Sequence, residues 1–455
     1  MPDFDLIVVG GGWAGCAAAV TASRRGMTTL LLEQGHQWGG RATSFLDPHS
    51  GELVDNGQHL FLGAYHETRA LLEDLATAPW LEFHQPLRVP YLMADGRVEL
   101  LQASRWPGPL ALGTGLLGFG PLNAQDKRSL IRLGWHGGPA LLGAAVGMPP
   151  QRSSSISVAQ WLKECGQSER LIQLLWEPMV LAALNARPSQ ARAKEFLAVL
   201  GQGFLRGGET AALGRAKAPL AKLLAPLPKL LEPQGSEALL HTTVEKVEPI
   251  DKGKGGWHVT VQEGQAVKAK HLILALPARL AARVCGPQLA ADLGLEREAQ
   301  RPLSPIVSVL MWSDTPLLPE PLLAFGPQSD GRQAKFHWGF SDPVSNGGEG
   351  ASGVAWRTCL TASAADSLAV EPIADVIKAA QGFLASRGRP FSSTRTVVLR
   401  ERSATPRFEP EGPARLPQAT PFKGLALAGD YTETGLPATI EGAVRSGKMA
   451  FRALI

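Results

Sequence analysis

Hydrophobic positions near the beginning of the chain change from a strand-like to a helix-like pattern and back. Residues 5–9 are apolar after Asp5 and β-branched enough for a buried strand, residues 13–26 are rich in alanine, and TTLLLE restores the strand pattern. A glycine turn joins the first strand to the helix, and these elements lie within about 30 residues of one another. The pattern therefore predicts a βαβ unit with parallel strands.

The rest of the chain alternates between helical blocks and groups of short strands. Helical patterning dominates up to about Pro233, and alternating segments such as GWHVTVQEG then suit strands. We predict an α/β fold in which the first domain is discontinuous and consists of residues 1–65, 235–295 and 420–455. An inserted α+β domain takes residues 66–234 and 296–419. A chain of 455 residues is longer than one core usually supports, which agrees with two domains.

Charge and composition exclude several classes of protein. The 45 Lys and Arg against 41 Asp and Glu leave a dispersed net charge of +4, so we expect no nucleic-acid partner. No apolar run reaches the roughly 18 residues that cross a bilayer. Cations among Leu, Ala and Gly between Lys194 and Pro233 are typical of peripheral contact with a membrane, and equally describe a solvated face beside the core. These cations are Lys194, Arg206, Arg215, Lys217, Lys222 and Lys229.

The cysteines are scattered, and no group of residues has the spacing of metal ligands. We therefore expect buried thiols in a reducing compartment and no metal site. The expected location is the cytoplasm, with peripheral contact at the inner face of the cell membrane as a further option. The cysteines are Cys16, Cys165, Cys285 and Cys359.

The turn between the first strand and helix carries the pattern G-x-G-x-x-G at Gly10, Gly12 and Gly15. Gly10 permits a tight turn, Gly12 lets a pyrophosphate approach the backbone, and Gly15 allows close packing of helix on strand. The pyrophosphate would lie at the helix N-terminus, against the backbone of Trp13 and Ala14. This placement predicts a dinucleotide site.

An acidic residue ends the second strand at the distance expected for a ribose ligand. Glu33 follows Gly15 by 18 residues, close to the roughly 20 at which a carboxylate binds the 2′-hydroxyl. The same carboxylate would repel a 2′-phosphate, which disfavours NADP.

Further motifs separate FAD from NAD. Gly39 and Gly40 followed by Arg41 supply flexible backbone and a cation for phosphate. FAD is long and needs a second anchor from remote sequence, which Gly429 and Asp430 can provide near the ribityl chain. The helix predicted from about Ala438, with Pro437 before it, would direct its positive end at the flavin. The backbone of Val244 is the predicted adenine contact. Together these residues predict FAD.

These motifs resemble the FAD-dependent amine oxidase and phytoene desaturase superfamily over essentially the full length. The resemblance implies a Rossmann-like FAD-binding domain with an inserted substrate domain, in an amine oxidase-like or p-hydroxybenzoate-hydroxylase-like architecture. VDNGQHLFLGAYHET and WEPMVLAALNARPSQARAKEFLAVL resemble the hydroxysqualene dehydroxylase branch of hopanoid biosynthesis. That branch implies reduction of an apolar C30 alcohol, hydroxysqualene, to squalene by reduced FAD, and an electron donor that reduces the FAD.

The block VDNGQH supplies the candidate catalytic residues. Its place soon after Arg41 would bring Asp55, Gln58 and His59 towards the flavin. His59 is the candidate proton donor, because imidazole changes charge near neutral pH. Asp55 and Gln58 would orient it or bind the flavin ring. The alternative is that all three fix the loop through backbone hydrogen bonds. Tyr65 is a weaker donor, since its usual pKa is about 10.

The apolar substrate requires a lining from the inserted domain. Leu174, Leu175, Trp176, Met179 and Leu184 have helical spacing and suit either a tunnel or ordinary core. The aromatic residues Trp312, Phe336 and Trp338 could face a developing cation.

Other functions stay open at this point. A carotenoid-type or phytoene-type desaturase, an amine oxidase and a non-catalytic carrier of prenyl chains share the fold.

Overall fold

The computed structural model describes residues 3–106, 108–250, 255–331, 333–345, 354–389 and 393–455. The strands are β1 (Phe4–Val9), β2 (Thr29–Leu32), β3 (Ser44–Leu46), β4 (Leu53–Asp55), β5 (Phe61–Leu62), β6 (Leu81–His84), β7 (Arg88–Leu92), β8 (Val98–Gln102), β9 (Leu213–Ala216), β10 (Glu237–Leu239), β11 (Val244–Pro249), β12 (Trp257–Val261), β13 (Ala266–Leu274), β14 (Leu303–Ser313), β15 (Leu322–Phe325), β16 (Trp338–Ser345), β17 (Val354–Ser363), β18 (Arg395–Pro406) and β19 (Leu425–Leu427).

The helices alternate with these strands along the chain. They are α1 (Trp13–Arg24), α2 (His66–Asp74), α3 (Pro109–Gly118), α4 (Ala124–Ala145), α5 (Val158–Glu164), α6 (Glu169–Leu171), α7 (Glu177–Leu184), α8 (Ala193–Ala198), α9 (Leu220–Leu224), α10 (Leu227–Leu231), α11 (Ala278–Asp292), α12 (Leu295–Ala299), α13 (Ile373–Ala385) and α14 (Ile440–Arg452). The π-helical segments Ile172–Trp176 and Val199–Phe204 continue α6 and α8.

The first sheet has the order β10-β2-β1-β13-β12-β11, with β19 beside the end of β13. Strands β10, β2, β1, β13 and β19 are parallel, whereas β12 and β11 are antiparallel additions. In register, Val9 pairs with both Leu32 and Leu274. Because parallel strands end at the same edge, the turns after β1, β2, β13 and β19 lie together.

Apolar helices cover one face of this sheet. Helix α1 is almost wholly buried against α14, since its sequence is mostly small residues that permit close approach. Helices α2 and α10 complete the same core through Leu71, Leu72 and Leu227. The sequence places residues 66–234 in the second domain, yet these parts of that range pack on the first sheet. The boundaries themselves stay a prediction.

The second sheet has the order β18-β14-β17-β16-β15-β7-β8. Different helices pack on its two faces. Helix α13 packs on one face, where Phe336 and Phe383 meet with ring centroids 5.3 Å apart. Helices α3 to α8 cover the other face and share an apolar core with Trp312 and Trp338. The aromatic residues predicted to line one site are therefore divided between two cores: Trp312 and Trp338 pack with helices α3 to α8, whereas Phe336, just before β16, packs with α13.

An ion pair joins the second sheet to the small hairpin of β3 and β4. Arg395 of β18 donates two hydrogen bonds to the carboxylate of Asp47, which follows β3, with both N···O distances 2.6 Å. Its guanidinium also lies 4.4 Å from the ring centroid of Trp312. Among the described residues, no helix is both long and apolar enough to span a bilayer.

Candidate active site

The glycine turn after β1 has the geometry that its spacing predicts. Gly10 has φ +105°, and a Cβ there would stand 2.5 Å from the carbonyl oxygen of Ala275. A Cβ on Gly15 would overlap the carbonyl oxygen of Gly10, so only glycine lets α1 approach β1 this closely. At Gly12 a Cβ would meet no atom within 4 Å, and Gly12 gives α1 no side-chain cap. The helix N-terminus therefore opens onto free space that suits a pyrophosphate.

Glu33 lies beside this turn and is held by backbone. Its Oε2 accepts a hydrogen bond from Gly11 N at 2.6 Å, and its Oε1 accepts one from Gly35 N at 2.7 Å. A carboxylate has about four lone-pair sites, so a ribose hydroxyl can still bind. Thr242 N donates to Glu33 O at 2.9 Å, which brings the start of β11, at Val244, to the same end of the site.

A second glycine segment packs on the first. Gly39 pairs with Gly12 in a parallel bridge, and Gly39 N donates to Gly11 O at 2.9 Å. Gly39 and Gly40 both have positive φ, +112° and +60°. The indole Nε1 of the buried Trp13 donates to Ala42 O at 2.9 Å, which ties this segment to α1. The helix N-terminus is therefore enclosed by flexible backbone from both segments.

Arg41 and Asp430 come together from opposite ends of the chain. Arg41 Nη2 lies 2.8 Å from Asp430 Oδ1, and Arg41 Nη1 donates to Ala404 O at 3.1 Å. The Asp430 carboxylate raises the pKa of Arg41, which stays cationic. Asn56, which sequence reasoning missed, donates to Arg41 O at 2.7 Å and so fixes the turn carrying the cation. The Gly-Gly-Arg motif does not predict this contact, because Asn56 lies 15 residues after Arg41.

The remote anchor is built around the turn after β19. Gly429 has φ +137°, and its N–H donates to Ser446 Oγ of α14 at 2.8 Å. Helix α14 begins at Ile440, two residues later than predicted, because Thr439 caps it by accepting from Gly442 N at 3.1 Å. Pro437 and Ala438 precede this cap, so their backbone lies at the positive end of the helix.

The residues present fit FAD. FAD is a long dinucleotide with a pyrophosphate at its centre, and the site has a matching feature for each part. The N-terminus of α1 has no side-chain cap, the space beside Gly12 is open, Glu33 lies at one end, and Arg41 and Asp430 come from remote segments. The sequence also matches the family described as flavin containing amine oxidoreductase over residues 13–455.

The chain belongs to the flavin containing amine oxidoreductase family. It is an FAD-dependent oxidoreductase, which confirms the cofactor and the enzyme class predicted from the sequence. The hydroxysqualene dehydroxylase of Rhodopseudomonas palustris is 27% identical over 460 residues, covering 97% of this chain and 96% of the relative. The 15-cis-phytoene desaturase of Capsicum annuum is 23% identical, covering 99% of this chain and 78% of the relative.

Solved structures agree with the predicted architecture. Cyclohexylamine oxidase from Brevibacterium oxydans superimposes with a TM-score of 0.67 at 19% identity, covering 100% of this chain and 99% of that one. The amine oxidase-like fold is therefore confirmed for this flavin containing amine oxidoreductase.

The three candidate catalytic residues have different surroundings. Asp55 Oδ1 accepts from Ser44 Oγ at 2.7 Å and from Leu220 N at 2.9 Å, so this carboxylate ties β3 to the start of α9. Burial raises the pKa of Asp55. Gln58 and His59 are partly exposed, and in the described part of the chain no other residue is hydrogen-bonded to either side chain.

The imidazole of His59 is closely surrounded by protein atoms, although part of its surface is exposed. Burial lowers the pKa of its imidazole to about 4, which leaves it neutral at pH 7. Burial also raises the pKa of Tyr65, whose hydroxyl contacts Thr439 at the beginning of α14.

The predicted tunnel residues divide into core and partly exposed positions. Leu174, Leu175 and Trp176 are buried, and Trp176 Nε1 donates to Gln167 Oε1 at 3.0 Å. Met179 and Leu184 pack on the same core but stay partly exposed.

Asn185, in the block AALNARP, is buried in a left-handed conformation with φ +47°. Its amide donates to Ser304 O at 3.0 Å and accepts from Ala364 N at 2.7 Å. Asn185 therefore connects the end of α7 to the second sheet through these hydrogen bonds.

Proposed function

We propose that this oxidoreductase converts hydroxysqualene to squalene by reductive dehydroxylation, within squalene and hopanoid biosynthesis. The observation that carries the proposal is the similarity to hydroxysqualene dehydroxylase along almost the entire length of both chains. The large apolar core of the second domain, with Met179 and Leu184 partly exposed, supports an apolar C30 isoprenoid as substrate. Such a substrate partitions into lipid, so peripheral contact with a membrane belongs to the same proposal.

In the proposed site, the residues that hold FAD are distributed along its length. Glu33 and the backbone of Val244 would bind the adenosine end. Arg41 would bind phosphate, Asp430 would bind near the ribityl chain, and the backbone of Pro437 and Ala438 would face the flavin. Backbone around the N-terminus of α1 would hold the pyrophosphate, and Gly429 gives the remote turn its shape. The residues concerned are Gly10, Gly12, Trp13, Ala14 and Gly15 of the first glycine segment and Gly39 and Gly40 of the second.

Reduced FAD, when bound, supplies a hydride. In the overall reaction the carbon–oxygen bond of the allylic alcohol would break, its hydroxyl would accept a proton and leave as water, and a carbon–hydrogen bond would take its place. His59 is the proposed proton donor to the hydroxyl. Gln58 would orient His59 or form a hydrogen bond with the flavin ring. Asp55 holds the loop in place through its hydrogen bonds with Ser44 and Leu220. The apolar surroundings exclude water that would otherwise trap the cation.

Anaerobic reoxidation tests the proposal. Enzyme reduced with dithionite and freed of excess reductant should regain the absorbance of oxidised FAD when hydroxysqualene is added, and squalene should appear by mass spectrometry. Reduced enzyme without the alcohol is the control and should stay reduced. Failure of both signals would refute the reaction.

A phytoene-type desaturase is the second candidate, favoured by the similarity to the Capsicum annuum enzyme over 99% of this chain. Such an enzyme would oxidise its substrate and reduce the flavin, the reverse of the proposed reaction. Oxidised enzyme mixed with phytoene without oxygen would then be bleached, whereas our proposal predicts no change.

A further inference from the structure

Helices α3 and α4 present apolar side chains to solvent on the outside of the second domain. We define the outer face by Trp106, Leu110, Leu117, Ile131, Trp135 and Leu142. Trp135 is 80% exposed, Leu142 is 64% exposed and Trp106 is 62% exposed. Scattered exposed apolar residues are ordinary, but two consecutive helices that each expose a group of large ones mark an interaction surface.

Helical spacing places these residues on single faces. In α4, Ile131, Trp135 and Leu142 are separated by four and seven residues, which puts them on one side of the helix. Leu133 lies on the opposite side, Leu141 lies about a quarter turn from the outer residues, and both are buried. In α3, Leu110 and Leu117 are likewise seven residues apart, and the helix buries Ala111, Leu112 and Leu116 instead. Each helix is therefore apolar on both its inner and its outer side.

The charges around the outer face have one sign. Between residues 103 and 150 the cations are Arg105, Lys127, Arg128 and Arg132, while Asp126 is the only acidic residue. Asp126 is buried and forms an ion pair with Arg170. Arg128 and Arg132 are exposed and lie next to Ile131 and Trp135 on the helix surface. The outer face therefore combines exposed tryptophan and leucine with exposed positive charge.

We propose that the outer face of α3 and α4 docks the enzyme on a bilayer that contains anionic lipid. Tryptophan is enriched at the boundary between lipid and water, and cations near an anionic surface strengthen binding. A symmetric contact between two copies would instead bring like charges together without acidic partners. An anionic bilayer can accept the apolar side chains in its interface and attract the cations with its head groups.

The location of the outer face suggests that docking delivers the substrate, an inference that rests on the proposed function. The inner residues Leu112, Leu116 and Leu133 belong to the same apolar core as Trp338 and Phe340 of the second sheet. Only the two helices and their packing therefore separate the docked bilayer from the core of the substrate domain. An isoprenoid dissolved in lipid would reach the enzyme from this side without crossing water.

The stretch 194–233, whose composition also suits membrane contact, has a different environment. Its residues Leu220, Leu224 and Leu231 are buried under the first sheet. Lys194 pairs with Glu433 at 3.0 Å, and Arg215 pairs with Asp342 at 2.5 Å. The outer face is the better docking surface, because its apolar residues are exposed and because Arg128 and Arg132 form no ion pair with any residue that the structure describes.

Vesicle sedimentation of the FAD-loaded full chain tests the proposal. Wild-type protein should bind vesicles of equal parts phosphatidylcholine and phosphatidylglycerol, and bind phosphatidylcholine alone more weakly. Trp135→Glu should lower the affinity for the mixed vesicles at least about tenfold, since a charge replaces an inserted aromatic ring. Val370→Glu is the matched control, because Val370 is 76% exposed outside this face, and it should bind as wild type does.

The paired variant Arg128→Glu and Arg132→Glu separates charge from apolar insertion. It should lose binding to the mixed vesicles and keep the weak binding to phosphatidylcholine. Equal vesicle binding by wild type and Trp135→Glu would overturn the proposal. So would a dimer in lipid-free sedimentation that Trp135→Glu converts to monomer, since the face would then be a protein interface.

Turnover measured with substrate in detergent distinguishes this proposal from the proposed function. Trp135→Glu should turn over detergent-solubilised hydroxysqualene as wild type does, because its defect concerns delivery. Vesicle binding without any turnover would refute the reaction and leave docking standing.

Discussion

At the scale of single residues, His59 connects the structure to a measurable pH dependence. Burial lowers the pKa of its imidazole to about 4. Above that pH the cationic fraction falls about tenfold per pH unit. A proton donor must carry its proton in the free enzyme, so kcat/KM for hydroxysqualene should fall as the pH rises from 5 to 7. A flat profile over that range would exclude the imidazolium as donor.

The variant His59→Ala should bind FAD normally, slow the reoxidation of reduced enzyme by hydroxysqualene and abolish this pH dependence. His84→Ala is the control, since His84 is exposed on β6 and distant in sequence from the motif. Unchanged reoxidation by His59→Ala would reduce His59 to a scaffold residue.

Sequence reasoning located individual residues better than it located their partners. The position of Glu33 followed from its distance to Gly15, but the N–H groups of Gly11 and Gly35 that hold its carboxylate depend on the shape of the turns. Arg41 and Asp430 were each expected near FAD, yet their mutual ion pair joins residues from opposite ends of the chain. A local pattern identifies a residue type that suits a ligand, whereas tertiary contacts decide what else that residue touches.

At the scale of elements, the contact between α1 and α14 depends on glycine. A Cβ on Gly447 would overlap the carbonyl oxygen of Ala14 and stand 3.1 Å from Ala18 N. Gly447→Ala should therefore separate the helices, lower the stability by roughly 1–3 kcal/mol and weaken FAD retention. Thermal unfolding and the flavin content of purified protein measure both effects.

The matched control is Gly382→Ala in α13, where a Cβ meets no atom within 4 Å. This substitution should raise stability by about 0.5–1 kcal/mol, because alanine is the better helix former. Equal effects of the two substitutions would contradict the packing argument.

Hydrophobic periodicity predicted the first strand and helix correctly and placed the start of α14 within two residues. It did not predict the cap of α2. Glu441 of α14 is buried and accepts hydrogen bonds from Glu67 N at 3.0 Å and Thr68 N at 2.9 Å. An acid in the first turn of a helix is expected to stabilise its own helix. Glu441 instead caps α2, which lies more than 360 residues earlier in the chain. Hydrophobic periodicity is a local pattern and does not predict such a contact.

At the scale of the whole molecule, a buried charged cluster joins α8 to the segment before Pro437, which is proposed to face the flavin. Arg415 Nη2 lies 3.4 Å from Glu195 Oε1, and its Nη1 donates to Leu436 O at 2.5 Å, just before Pro437. Arg192 lies 3.9 Å from the other oxygen of Glu195. The guanidinium of Arg415 also lies 3.7 Å from the ring centroid of Phe408. This cluster fixes the turn at the flavin end against the second domain.

Removal of Glu195 should therefore affect both stability and cofactor. Glu195→Ala leaves two buried guanidinium groups without their carboxylate, which typically destabilises by about 3–5 kcal/mol. Urea unfolding should show this loss, and FAD should dissociate more readily. Glu164→Ala removes an exposed partner of Arg152 and should change stability by less than about 1 kcal/mol. A similar small change for Glu195→Ala would show that the cluster does not hold the domains together.

The order of the chain also determines when the proposed FAD site can exist during synthesis. Strand β1 and helix α1 leave the ribosome early, but β19 and α14, which complete the first sheet and its core, emerge after every other element. Until residues 425–452 appear, the small apolar residues of α1 lack the helix that covers them. The core around α1 is therefore completed only when a segment more than 400 residues further along the chain has been made.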